Sequence, residues 1–240
     1  IIDQYGTKFF IADNFELHVS SNSLVKLFYN LGYPKGIKTS NLFLIPDWIL
    51  QSPIWIKRLF LSGLFGAELS SHRTHTKTGF DCPIFSMNKN ESFVENGRMF
   101  CIQLMNLLEE FGIKIDKISE REEYKNKQGK TFRIRLQISS DEDNLIKLWS
   151  KIGFSYNKKR DFLSNIGIFY IKEKKLLTQK RSEIADKTKE LKKKGLKLKE
   201  VQALLECDYA NKRFIERHYY ETAGQRITLN FISFEDFKIL

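Results

Sequence analysis

Ile56-Lys57-Arg58-Leu59-Phe60-Leu61-Ser62-Gly63-Leu64-Phe65-Gly66-Ala67-Glu68-Leu69 is the stretch whose reading decides the fold. Its spacing predicts a helix that sets Leu61, Leu64, Phe65 and Glu68 on neighbouring turns and leaves Gly63, Gly66 and Ala67 with almost no side chain on the adjoining face. Two glycines inside a helix cost about 1 kcal/mol each relative to alanine. Keeping them implies that another backbone comes very close, with Glu68 delivered to a shared edge at the end of the apolar run. The alternative is an ordinary core helix with an exposed glutamate.

Downstream of this helix the pattern predicts a strand over 69–78, a turn at Gly79 and a strand over 80–87. A long helix over 92–111 follows, with Phe93, Met99, Phe100, Leu104, Leu107 and Leu108 apolar and Gly112 as its stop. Strands over 113–124 and 130–139 are joined by Asn126-Lys-Gln-Gly129, and a last helix spans 141–152. Upstream, Phe15 to Val19 alternates, Ser20-Ser21 follows, and a helical pattern from Leu24 to Leu31 ends at Gly32. Residues 24–33 align without a gap to 145–154, an offset of 121 residues, sharing Leu, Lys, Leu and Gly. We read this as an internal duplication, with the acidic helix of the first copy lying before residue 1.

Beyond Arg160 the composition changes. The boundaries expected are 1–50 as the end of a first repeat, 51–160 as a complete one, 161–178 as a linker helix, 179–224 as a helix-turn-helix module and 225–240 as a tail. The module rests on a charged segment followed by two short amphipathic helices, 191–205 and 209–220, the second being the reader. Any small three-helix bundle has similar spacing.

A net charge of +11 over 240 residues, with Lys and Arg distributed widely, calls for a polyanionic partner. Double-stranded DNA is the expectation; with no apolar run near 18 residues and no signal peptide, a membrane is not. Cys82, Cys101 and Cys207 lie far apart and read as thiols of a reducing cytoplasm. His72 and His75 would face opposite ways on a strand, which argues against zinc. Strand 131–139 sets Phe132, Ile134, Leu136 and Ile138 on one face and Thr131, Arg133, Arg135, Gln137 and Ser139 on the other. Arg and Gln suit base edges in a major groove, and a solvated strand face is the alternative. His72, Arg73, Thr74, Lys77, Arg121 and Lys125 from neighbouring strands, Lys159, and Lys212 and Arg213 on the second short helix complete the DNA-binding candidates.

The stretch Phe60-Leu-Ser-Gly-Leu-Phe-Gly-Ala-Glu68 resembles the signature helix of the LAGLIDADG homing endonucleases, in which two such helices pack through small residues and their terminal acids hold the catalytic metals. Ile45-Pro-Asp-Trp-Ile49 and Ser52-Pro-Ile-Trp-Ile56 resemble the approach to that helix in archaeal intein-type members. Two positions depart: the family's closing Asp-Gly is Glu68-Leu69 here, and its earlier acid-like position is Gly66. The resemblance implies an α+β fold of αββαββα repeats and a metal-dependent, sequence-specific double-stranded DNA endonuclease. It further implies Mg²⁺ or Mn²⁺ at Glu68, with Lys158 and Lys38 as cations near the scissile phosphate. The second acidic helix would come from an upstream segment or a homodimer partner. Two other expectations are a catalytically inactive DNA-binding remnant or regulator, and a maturase-like RNA-splicing cofactor.

Overall fold

The computed structural model describes residues 10–11, 17–126, 129–222, 227 and 231–240. They fall into two units, residues 1–64 with 84–138, and residues 65–83 with 139–240.

In the first unit, Phe10–Ile11 (β1) and Leu17–His18 (β2) pair antiparallel. Helix α1 (Asn22–Asn30) starts at Ser21, whose hydroxyl accepts the Leu24 N–H, and stops at Gly32, where φ is +95°. The backbone closes there as a Schellman turn, Tyr33 N–H to Phe28 C=O at 2.8 Å and Gly32 N–H to Tyr29 C=O at 2.9 Å. A side chain at residue 32 would also strike Pro46, since a Cβ would sit 2.5 Å from its Cγ. A 3₁₀ turn (Lys38–Ser40) and α2 (Asp47–Leu50) lead to α3 (Ile54–Glu68), which covers the quoted stretch up to Glu68. The division between the units falls inside α3.

The sheet of this unit has the order β3-β5-β4, all antiparallel, from Ile84–Asn90 (β3), Ile115–Asn126 (β4) and Gly129–Ile138 (β5). Helix α4 (Val94–Glu110) packs on it through Phe100, Leu104, Leu107 and Leu108, opposite Ile134, Leu136 and Ile138 of the central strand, every one of them buried. The approach is tightest at Gly97, where a Cβ would lie 2.3 Å from Ile134 Cδ1 and 2.9 Å from Lys89 Cγ. Lys89 is itself fully buried: its ammonium donates to the carbonyls of Lys38 (3.1 Å) and Asn41 (2.6 Å) and to Asn96 Oδ1 (3.2 Å), and lies 3.9 Å from the centre of the Phe43 ring. Loss of hydration lowers its pKa to about 8.

In the second unit the strand expected over 69–78 does not form. Residues 69–83 make a loop that includes the isolated bridge Thr74↔Phe80, and the strand expected over 80–87 runs instead from Ile84 to Asn90 in the first unit. The cause is local. Residues 70–79 offer no apolar alternation, the His75 N–H turns back to the Gly79 carbonyl (3.0 Å), the Gly79 N–H goes to Thr76 Oγ1 (2.8 Å), and Pro83 has no N–H to donate.

Helix α5 (Glu142–Lys147), capped by Asp141, continues into a π turn (Leu148–Ile152) that ends at Gly153. Helix α6 (Lys158–Lys193) is then continuous for 36 residues, so the linker helix and the charged segment separated by composition are one element. Helices α7 (Leu198–Leu205), α8 (Lys212–Tyr219) and α9 (Phe234–Phe237) complete the chain. The strand-like alternation of 226–240 is not followed in the described residues 231–240: Phe234 of α9 is buried against Phe80 (4.7 Å between ring centres) and Tyr170 (5.4 Å), and the Tyr170 hydroxyl donates to the Ile232 carbonyl at 2.8 Å.

Candidate nucleic-acid interface

The basic charge is not spread evenly. Residues 158–220 carry eighteen Lys and Arg against nine Asp and Glu, net +9 of the chain's +11, which leaves the remainder close to neutral and corrects the wide distribution expected. This segment is α6, α7 and α8. The three helices share a core of Ala185, Val201, Ala210, Phe214 and Ile215, so their cationic side chains are held on a packed body. A Schellman turn at Gly195 (φ +88°) closes α6 and reverses the chain into α7. The link from α7 to α8 is a six-residue turn pinned by reciprocal backbone bonds between Cys207 and Ala210 (3.0 and 3.1 Å), and Asn211 caps α8 by accepting the Phe214 N–H at 3.0 Å.

Arg181 locks this unit from inside. Its guanidinium lies 4.0 Å from the centre of the Phe214 ring and donates to the carbonyls of Ile227 and Tyr209, both at 2.5 Å. Burial lowers its pKa while leaving it a cation.

Because Phe214, Ile215 and His218 face inward, the outer side of α8 consists of Lys212, Arg213, Glu216, Arg217 and Tyr220. Lys212 has only a loose exposed ion pair with Glu206 (3.7 Å), and Arg213 has no carboxylate partner among the described residues. Lys197 and Lys199 of the adjoining turn and helix are also exposed. A first helical turn carrying one loosely paired and one unpaired cation, on a helix held by a second one, can contact phosphates while its side chains reach base edges.

The sheet face offers less. Arg121 and Arg133 stand opposite one another in the β4/β5 register, and both pair with Glu123, whose position beside a β-bulge brings its carboxylate between them. Lys130 pairs with Glu122 at 2.9 Å. The Arg135 Nε is buried without a hydrogen-bond partner among the described residues, Gln137 is half-buried, and Lys125 is exposed.

The remaining candidates divide. Arg73 and Lys77 are exposed on the 69–83 loop and Thr74 is half-buried. His72, one of the DNA-binding candidates, is half-buried. Its ring packs against Trp149 (5.0 Å) and Phe154 (5.3 Å), Nε2 is 2.9 Å from Ser164 Oγ, and burial, with Arg160 nearby, lowers its pKa to about 4, so it is neutral. Glu68 is exposed at the end of α3, where Arg160 donates to the carbonyls of Phe65 (3.0 Å) and Leu69 and feels the Glu68 charge. Arg160 thus neutralises the C-terminal end of α3, a role sequence spacing could not expose because the partners lie 91 and 95 residues away. The close neighbour that Gly66 accommodates is Asn157, whose side-chain amide donates to the Gly66 carbonyl at 2.8 Å. Lys158 and Lys159 follow, both exposed. Lys38 belongs to the first unit, its ammonium 5.5 Å from the Tyr33 ring centre. Among the described residues no three His, Cys, Asp or Glu side chains gather where a metal ion could be held. None of the described helices is long and apolar enough to cross a membrane.

No family model matches the chain, and no solved structure matches it. Curated relatives do. It is 32% identical over 98% of its length to a segment of the tRNA-splicing ligase RtcB of Pyrococcus furiosus, covering 23% of that protein, and 32% identical over 95% to a segment of the enzyme of the same name from Methanopyrus kandleri, covering 22%. It is also 30% identical over 79% to a segment covering 14% of the DNA-directed RNA polymerase subunit Rpo1N of Methanocaldococcus jannaschii. The chain therefore spans about a quarter or less of each of these relatives. These names correct the sequence-based identification: the relatives that match nearly the whole chain are named as tRNA-splicing ligases, enzymes of RNA, and not as LAGLIDADG homing endonucleases, inteins or hydrolases. The RNA-splicing alternative came nearer but named no ligation.

Proposed function

We propose that this chain is a polynucleotide-binding module of a larger polypeptide of the tRNA-splicing-ligase kind, holding a nucleic-acid backbone on the outer faces of α6, α7 and α8. The observation that carries the reading is the concentration of net charge, +9 within residues 158–220, on a packed three-helix body whose α8 presents Lys212 and Arg213 to solvent. The relatives support it. A segment shared by a ligase and a polymerase subunit, at 23% and 14% of their lengths, contributes something both can use, namely contact with nucleic acid. Joining chemistry is assigned to the rest of the longer polypeptide. The expected partner, double-stranded DNA, and structured RNA share the phosphodiester backbone this surface recognises.

The test is fluorescence anisotropy of the chain with two labelled probes, a tRNA-like stem-loop and a mixed-sequence DNA duplex. Lys199→Glu and Arg213→Glu should each weaken binding to the preferred probe by about tenfold, while Arg133→Gln should change it less than about twofold. Tighter binding of the stem-loop identifies RNA as the ligand; tighter binding of the duplex identifies DNA. If neither probe binds, or if Arg133→Gln is the damaging change, the reading fails.

A further inference from the structure

Residues 24–33 and 145–154 are two copies of one pattern, and the structure gives them opposite surroundings. In the second copy Leu148, Trp149, Ile152 and Phe154 are at most 5% exposed. At the same places in the first copy, Leu27, Phe28, Leu31 and Tyr33 are 51, 50, 42 and 58% exposed, and no residue of α1 is buried. Both copies are helical and both end at a glycine with positive φ (+95° at Gly32, +67° at Gly153), although the second closes through a π turn. One copy is therefore covered and the other is not, although both keep the same apolar face.

What covers the second copy is visible. The Trp149 indole meets the rings of His72 (5.0 Å) and Phe80 (5.1 Å) from the 69–83 loop, and Gly167 of α6 lies so close that a Cβ would be 2.7 Å from it. By the offset of 121 residues, the counterpart of that loop in the first copy would precede residue 1. The P. furiosus and M. kandleri relatives have more than three quarters of their length outside the matched segment. We propose that in the full-length polypeptide the apolar face of α1 is covered by a segment N-terminal to residue 1, an aromatic-bearing loop of the kind formed here by residues 69–83. The covered surface is centred on Phe28, the counterpart of Trp149. This rests on the duplication and is independent of nucleic-acid binding.

Hydroxyl-radical footprinting of the polypeptide encoded by the whole reading frame tests it, with exposed side chains of the same type as internal references. Tyr156 is 71% exposed and Phe162 is 64% exposed. Tyr33 should oxidise at least about fivefold more slowly than Tyr156, and Phe28 than Phe162, at every protein concentration. Smaller protection overturns the proposal. So does protection that disappears on dilution, which would make the occupant a second copy of the chain, and so does a reading frame with no residues before Ile1. Phe28→Asp, made in the same polypeptide, should raise oxidation at Tyr33 and at aromatic residues of the N-terminal segment together; a rise at Tyr33 alone also overturns it.

Discussion

At the residue scale, His72 makes the second unit sensitive to acid. Its folded pKa, about 4, lies below the ordinary 6.5, so between those values the unfolded chain binds a proton that the native chain does not. Stability from this group is complete above pH 6.5, declines as pH falls through 6.5 to 4, and levels off below. Allowing for partial exposure, the loss is about 2 kcal/mol. Denaturant unfolding of the wild type and of His72→Gln at about pH 7.5 and about pH 3.5 measures it, and the substitution should remove the part of the pH dependence due to this ring. Arg181 has an unambiguous direction too. Arg181→Ala leaves the Ile227 and Tyr209 carbonyls without their cationic donor and should lower stability by about 3 kcal/mol, read in the same unfolding assay. Some residue-scale features were legible in the sequence: Gly32 and Gly112 were read as helix stops, and both have positive φ. Arg160, Arg181 and Lys89 were not, because their partners lie from 7 to 95 residues distant and only the fold brings them within reach.

At the element scale, apolar periodicity located α3, α4, the β4/β5 hairpin and α8, since each buries one regular face. It missed where tertiary packing decides. Residues 70–79 resembled a strand only through their polar, β-branched composition, while the actual bonds are those of turns. The tail 226–240 alternates like a strand, yet in its described part Ser233 caps a short helix whose Phe234 fills the space beside Tyr170. Helix α6 was divided on composition because its first half is apolar enough to pack and its second half is charged, and neither feature interrupts a helix. The α4–sheet contact gives this scale its prediction. Gly97→Val should place its Cβ and both methyls into Ile134 and the Lys89 stem, lowering stability by about 2–3 kcal/mol in chemical denaturation. Gly195→Ala, where a Cβ meets nothing within 4 Å, should cost only about 1 kcal/mol, from the positive φ alone.

At the scale of the whole molecule, the total charge was legible but its location was not. Widely spaced Lys and Arg in the first unit are matched by acids such as Glu120, Glu122 and Glu123, whereas residues 158–220 keep an excess of nine. The candidate surface thus moves from the sheet to the helices. The signature-like helix around Glu68 belongs to an α+β chain whose relatives bear the name of an RNA ligase, and its glutamate lies beside Arg160. The measurement that tests the central claim most directly is the salt dependence of polynucleotide affinity. The logarithm of the association constant should fall linearly with the logarithm of salt concentration. Replacing Lys197, Lys199, Lys212 and Arg213 together by Gln should reduce the slope by about 3 on a duplex. A slope unchanged by those four substitutions would contradict the account.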